Sequence, residues 1–287
     1  MLAESDIANK IAAVFEQVDT SPNIPRGLIV KRQLLMDPGQ FYYVYWPESA
    51  GPNARLFVTV HGISRNAQEH ANRFATYAER QGVVMIAPLF TQERFPRYQR
   101  LVGKEGGIEA DMMLLDIVDE ISSFISVETS KIYLFGFSGG GQFVHRFALR
   151  HPRRVMRYVV GAAGWYTFPN PEQAFPHGIR PNKHLPHLIL DLAEFLRIPG
   201  SVIVGERDVK PGTALNTNPR IMVQQGEHRR ERGERWVEAM NEAARHAGLP
   251  SHFSFDIAPD CGHSFRRAMK CGNMGELAFT KLFHTIF

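Results

Sequence analysis

The residue in this chain best suited to covalent chemistry is a serine set between glycines at the end of an apolar run. Lys131-Ile-Tyr-Leu-Phe-Gly-Phe137 reads as a buried strand, Gly136-Phe137-Ser138-Gly139-Gly140 as a sharp turn, and the residues from Gln142 onward as a helix. A serine hydroxyl at its free pKa is a poor nucleophile, so it needs a base, hydrogen-bond donors and open space for a substrate. Gly136 and Gly140 remove Cβ atoms that would collide across a strand-to-helix bend, and the turn leaves the Gly139 N–H directed at the reacting centre. Ser138 is therefore the expected nucleophile.

Its partners are expected on loops at the carboxyl ends of later strands, in the order serine, acid, histidine. Ser201-Val-Ile-Val-Gly205 reads as a short buried strand, with Asp208 just beyond it in Gly-Glu-Arg-Asp. His252-Phe-Ser-Phe-Asp-Ile-Ala258 alternates like the next strand and is followed by Pro-Asp-Cys-Gly-His263. His228 and His246 fall in or beside a charged helix, His252 opens a strand and His284 lies in a C-terminal helix, which leaves His263 as the base. Asp208 is the expected acid; Glu206, Asp256 and Asp260 are the alternatives. In such a triad the histidine takes and returns the serine proton, while the acid fixes the imidazole tautomer and stabilises the imidazolium.

An oxyanion also needs preorganised donors. Gly139 N–H supplies one. Arg55-Leu-Phe-Val-Thr-Val-His61-Gly62-Ile63-Ser64 is an apolar strand followed by His-Gly and a helix start, and it points to the Ile63 amide as the second, with Ser64 left open.

His61-Gly62, Gly136-Phe-Ser138-Gly-Gly140, Asp208 and His263 occur together in an order that resembles the α/β-hydrolase family over roughly residues 25 to 287. The His-Gly-x-x-x-x-Ala opening, Gly82-Val-Val-Met-Ile-Ala-Pro88 and Trp165-Tyr166 after the sixth strand are more narrowly similar to the polyhydroxybutyrate depolymerase and feruloyl esterase branch. The resemblance implies a mostly parallel, eight-stranded-type sheet and a serine esterase cleaving a small or medium-sized ester without cofactor. Amide, thioester or lactone cleavage would use the same parts, and a non-catalytic ligand-binding protein on the same scaffold is the contrasting class.

The elements that must position these residues read as strand-helix alternation. An opening hairpin of 28–35 and 41–47 turns at Asp37-Pro-Gly39. Strand 55–61 precedes a helix facing inward with Ala71, Phe74, Ala75 and Ala78; strand 83–87 precedes a helix near 108–126; strands 131–137 and 155–161 follow. The stretch from about 165 to 200, with Trp165, Tyr166, Phe168, several prolines and a helix around 188–196, is expected to be a lid over Ser138. Trp165, Tyr166, Phe168 and His61 are the expected substrate-binding side chains. His177, His184, His187 and Asp191 have ligand chemistry but no zinc spacing, so no metal is expected.

A chain of 287 residues, 44% hydrophobic, suffices for one α/β domain with an insertion. Ile7, Ile11, Val14, Phe15 and Val18 recur at helical spacing and predict an amphipathic helix within 1–24, packed on a body of 25–287. Acids rather than bases open the chain and no span-length apolar stretch occurs, so a soluble, cytoplasmic protein with no membrane partner is expected. A net charge of +4 from 33 basic and 29 acidic residues gives no reason to expect nucleic acid. The dense run His228–Arg235 leads into a helix whose Trp236, Met240, Ala243 and Ala247 form one apolar face, leaving the charges facing water. Cys261 and Cys271 flank His263 and are expected reduced, with a bridge between them left open. Nothing in the sequence fixes an oligomeric state.

Overall fold

The computed structural model describes residues 15–102, 107–182, 185, 187–212 and 215–284. The chain forms two compact units, one ending at Leu134 and the other beginning at Phe135.

The first unit holds β1 (Phe15–Asp19), β2 (Ile29–Gln33), β3 (Phe41–Tyr45), β4 (Ala54–Val60), helix α1 (Ala67–Gln81), β5 (Val84–Leu89), helix α2 (Ala110–Phe124) and most of β6 (Val127–Phe137). β2 and β3 pair antiparallel with Ile29 opposite Tyr45, closed by a turn in which Gln40 N–H donates to the Asp37 carbonyl at 2.9 Å. β4 and β5 pair parallel around α1, with Leu56 opposite Val84. The inward stripe of α1 is His70, Ala71, Phe74, Ala75 and Ala78, the three-to-four spacing that puts residues on one helix face. From β4 the chain passes to β5 on one side and, through α2, to β6 on the other. Such a reversal of strand order is where open α/β sheets gather ligands at their carboxyl ends.

The second unit continues from the end of β6 through α3 (Gly139–Arg150), β7 (Val155–Gly161), the short helix α4 (Leu192–Phe195), β8 (Gly200–Gly205), α5 (Pro219–Gln225), α6 (Arg229–His246), β9 (Phe253–Ala258), α7 (Phe265–Lys270) and α8 (Met274–Phe283). β7, β8 and β9 pair parallel, and Val202, Ile203 and Val204 of β8 are fully buried, as expected of a strand covered on both faces. The hydrogen-bonded strand order is β1-β2-β3-β5-β4-β6-β7-β8-β9, a mostly parallel sheet flanked by helices.

Three expectations change. Phe15–Asp19, read as helix, is a strand that pairs parallel with β2, which brings the sheet to nine strands among the described residues; Ile7, Ile11 and Val14 lie outside the described residues. The helix expected around 188–196 shrinks to Leu192–Phe195, capped by the Asp191 carboxylate accepting from Glu194 N–H. On α6 the buried stripe contains Arg229, Arg232, Gly233, Trp236, Val237, Met240 and Ala244, so two arginines of the basic run face inward while Ala247 is exposed.

Candidate active site

Ser138 sits between β6 and α3 with φ 55° and ψ −111°, a left-handed conformation that a serine adopts only when its surroundings hold it there. Its N–H donates to the Gly161 carbonyl at 2.7 Å and its carbonyl accepts from Gln142 N–H at 3.1 Å, so β7 and the first turn of α3 fix both ends of the residue. A Cβ on Gly136 would lie 2.2 Å from the Gly140 oxygen, so the strand can meet the helix this closely only through glycine.

The loops after β8 and β9 bring two further side chains to Ser138. His263 Nε2 lies 3.0 Å from Ser138 Oγ, and His263 Nδ1 lies 2.9 Å from Asp208 Oδ2. With Nδ1–H donating to the carboxylate, Nε2 is left as an acceptor facing the hydroxyl. The imidazole stacks on Phe137 at 5.2 Å between ring centres, and Phe265 packs tilted against Phe137 at 5.5 Å. The two loops clasp each other: Arg207 N–H donates to the Cys261 carbonyl at 2.9 Å, Asp260 N–H donates to Glu206 Oε2 at 3.0 Å, and Arg207 pairs with Asp260 at 2.6 Å. Glu206 and Asp260 are thus engaged within the clasp, and Asp256 pairs with Lys281 at 2.9 Å, so of the four candidate acids Asp208 is the one on the imidazole.

Asp208 has a second partner that the sequence reading missed. Arg229 Nη1 donates to Asp208 Oδ1 at 3.2 Å, with both side chains 3% exposed or less. Arg232, one turn along α6, donates from Nε to Gly226 O at 2.9 Å, from Nη1 to Gly164 O at 2.6 Å and from Nη2 to Asn216 O at 2.9 Å, and burial lowers its pKa to about 10. The signal was spacing: 229, 232, 233, 236 and 240 fall on one helical face, and that face is the one Trp236 buries.

The expected substrate-binding side chains are packed. Tyr166 is fully buried, stacked on Trp236 at 5.1 Å, and its backbone is bracketed by Gln225, which accepts from Tyr166 N–H at 2.8 Å and donates to Tyr166 O at 2.9 Å. Trp165 lies beneath the Arg146 guanidinium at 4.2 Å and against His177, and Phe168 is nearly as enclosed. Thr167 between them ties the insertion down, its N–H donating to His145 Nε2 at 3.0 Å and its carbonyl accepting from Trp236 Nε1 at 2.8 Å. All three rings are thus almost closed off from solvent.

In the first unit His61 is likewise fully buried. Its Nδ1–H donates to the Gly62 carbonyl at 2.8 Å, Nε2 accepts from Phe90 N–H at 3.0 Å, and its carbonyl accepts from the Tyr98 hydroxyl at 2.7 Å. Desolvation drops its pKa to about 4, so it is a neutral fastener of the loop after β4. Ile63 in that loop is 54% exposed, and the Ser64 hydroxyl donates to Asn66 Oδ1. Gly139 opens α3 and is buried.

Among the described residues no three His, Cys, Asp or Glu side chains are grouped as a metal site would need. His177 stacks on Trp165, His187 is exposed, Asp191 caps α4, and His184 lies outside the described residues. Cys261 is buried and Cys271 exposed, and both are free thiols; burial and then the Asp208 charge push the Cys261 thiol pKa up. No described helix is long and apolar enough to cross a membrane.

No protein-family profile matches the chain. Among solved structures it is similar to poly(aspartic acid) hydrolase-1 from Sphingomonas sp. KT-1, at TM-score 0.72 and 25% identity over 84% of this chain and 93% of that one. It is also similar to LpqC, a poly(3-hydroxybutyrate) depolymerase from Bordetella parapertussis, at TM-score 0.71 and 23% identity over 86% and 85%. Among curated proteins it is 27% identical over 116 residues to the bifunctional acetylxylan esterase/xylanase XynS20E of Neocallimastix patriciarum, a match covering 37% of this chain. The match covers 15% of that longer protein.

Proposed function

We propose that this chain, which is an α/β-hydrolase, cleaves a carboxylic ester through an acyl-enzyme formed on Ser138. The observation that carries the reading is the continuous chain Ser138 Oγ, His263 Nε2, His263 Nδ1, Asp208 Oδ2, with links of 3.0 and 2.9 Å. The similar proteins named as an esterase, a depolymerase and a polymer hydrolase support it, since each name implies opening an acyl bond.

In this reading Ser138 Oγ attacks the ester carbonyl carbon as its proton passes to His263 Nε2, and the carbonyl π electrons move onto oxygen. The Gly139 N–H receives that oxyanion, and the sequence position of Ile63 nominates its N–H as the second donor; each such donor is worth about 3 kcal/mol in a dry site. Collapse of the tetrahedral species breaks the bond to the alkoxy group, which leaves with the proton from His263. Water then attacks the acyl-serine with His263 again as base, releasing the carboxylic acid and restoring Ser138. Asp208 stabilises the imidazolium in both halves without itself taking the proton. The substrate is a small or polymeric ester, and no step calls for a cofactor.

The test is covalent and kinetic. A fluorophosphonate probe should label the protein at Ser138, and Ser138→Ala should abolish both labelling and p-nitrophenyl acetate hydrolysis while the fold survives. A variant keeping a tenth of the activity would end the assignment.

A further inference from the structure

We propose that Arg229 is a positioning residue for this chemistry: a buried cation that keeps Asp208 ionised and aimed at His263 while the imidazole is neutral, and so sets how far down in pH the triad stays competent. The proposal rests on the serine-hydrolase reading.

Asp208 and Arg229 side chains are 2% and 3% exposed. A carboxylate withdrawn from water to that extent needs an opposite charge or it takes up a proton. A neutral imidazole, the form that can accept the Ser138 proton, offers Asp208 a hydrogen bond but no charge. Without Arg229 the buried carboxylate would be neutralised only when His263 is protonated, and an imidazolium cannot accept the Ser138 proton. Arg229 breaks that dependence by geometry: Nη1 takes Oδ1 at 3.2 Å and leaves Oδ2 to His263 Nδ1 at 2.9 Å, one carboxylate oxygen for each partner. A guanidinium stays charged when buried, which a lysine does not guarantee.

Arg229 Nε is buried with no hydrogen-bond partner among the described residues, whereas all three donor nitrogens of neighbouring Arg232 bind backbone carbonyls. An orphaned buried donor is a cost that calls for a return elsewhere, and the Asp208 contact supplies it.

Other groups that feel this charge are few. Tyr166 from the insertion and Cys261 from the loop after β9 both have pKa values raised by burial first and by Asp208 in addition, so neither neutralises it. Arg232 faces Arg229 from the same helix. On the Asp208 loop, Glu206 and Arg207 are turned to Asp260.

The experiment is the pH dependence, from about pH 5 to 9, of the second-order rate of fluorophosphonate labelling and of kcat/KM for p-nitrophenyl acetate. Arg229→Met should move the acid limb of both profiles up by about one pH unit, a tenfold change in proton affinity. The rate lost near neutrality should largely return at the alkaline end. Arg229→Lys should lie between Met and wild type. Placed in an Asp208→Asn background, Arg229→Met should move nothing, because the carboxylate it acts through is gone. Removing one member of a buried ion pair can cost about 3–5 kcal/mol of stability; if the Met variant does not fold, Arg229→Gln, polar and of similar reach, is read in the same way. A rate lowered equally at every pH, or the same shift in the Asp208→Asn background, overturns the proposal. Either outcome leaves Ser138-dependent labelling intact, whereas failure of that labelling would overturn the hydrolase reading instead.

Discussion

Gly136→Ala is a test of the turn that presents Ser138. The new Cβ would lie 2.2 Å from Gly140 O, 2.3 Å from Gly140 C and 2.8 Å from Gly141 N. All three atoms are backbone, so no side-chain rotation relieves the clash. Real Cβ contacts do not fall below 3.0 Å, so the strand end and the helix start must separate by about 0.8 Å, the difference between 3.0 and 2.2. Ser138 lies between the separated parts, and its Oγ is 3.0 Å from His263 Nε2. Stretching that contact toward 3.8 Å takes it beyond hydrogen-bond range. A misplacement of about 1 Å at a reacting atom costs on the order of 100-fold in rate. The overpacking itself should cost about 1–3 kcal/mol of stability. The assay is kcat on p-nitrophenyl acetate per titrated active site, with urea unfolding alongside. Gly51→Ala is the matched control, since a Cβ there meets nothing within 4 Å. A Gly136→Ala enzyme as active and as stable as the Gly51→Ala enzyme would refute the claim that this close approach shapes the nucleophile.

Asp208→Asn should lower kcat on the order of 10⁴-fold by presenting the imidazole in the wrong tautomer, while Glu206→Gln, Asp256→Asn and Asp260→Asn, engaged elsewhere, stay near wild type; collapse of one of those three instead would move the acid. Acid should destabilise the fold through its buried histidines: the His61 pKa is about 4 folded against 6.5 ordinarily, so between those values the unfolded chain binds the extra proton and stability falls as pH falls. The loss by pH 4 is about 3 kcal/mol, from about 1.36 kcal/mol per pKa unit, with His70 and His145 shifted in the same direction by burial. Urea unfolding at pH 6.5 and 4.5 should show a shallower pH slope in His61→Gln, and an equal slope would remove His61 from the account. Trp165→Ala should cost about 3–5 kcal/mol as a buried truncation and leave the preference among acyl chain lengths unchanged per active site; selective loss on bulky acyl groups would make Trp165 a pocket wall.

Much of this arrangement could be read from the sequence because its parts are local. The strand-turn-helix at Ser138 is written in a dozen consecutive residues, and Asp208 and His263 each fall one short loop beyond an apolar strand. What pairs across loops could not be read. The place of Asp208 after β8 favours it, but Glu206 shares its loop and Asp256 and Asp260 precede His263 closely. The Arg207–Asp260, Glu206–Asp260 and Lys281–Asp256 contacts that occupy the alternatives each join residues at least 25 apart. The strand at Phe15–Asp19 was missed for a related reason. Its apolar spacing fits a helix, and its pairing with β2, more than a dozen residues away, decides the matter.

The basic run at 228–235 shows how charge can mislead where period does not. A run in which seven of eight residues carry charge or imidazole reads as wet because charge usually is. Yet the buried stripe of α6 passes through Arg229, Arg232, Gly233, Trp236 and Met240 at the spacing any amphipathic helix uses. Gly233 is part of the same design: a Cβ there would meet Val202 and Phe255 at 2.9 Å, so the helix lies close against β8 and β9. That closeness carries Arg229 to Asp208 just past the end of β8 and Arg232 to the carbonyl of Gly164 at the start of the insertion. Guanidinium groups are tolerated inside because each finds an anion or carbonyls. A helix with polar residues on its apolar period is thus better read as one that buries those residues with partners than as one that turns them to water. On α6 the partner of the first is the carboxylate hydrogen-bonded to His263.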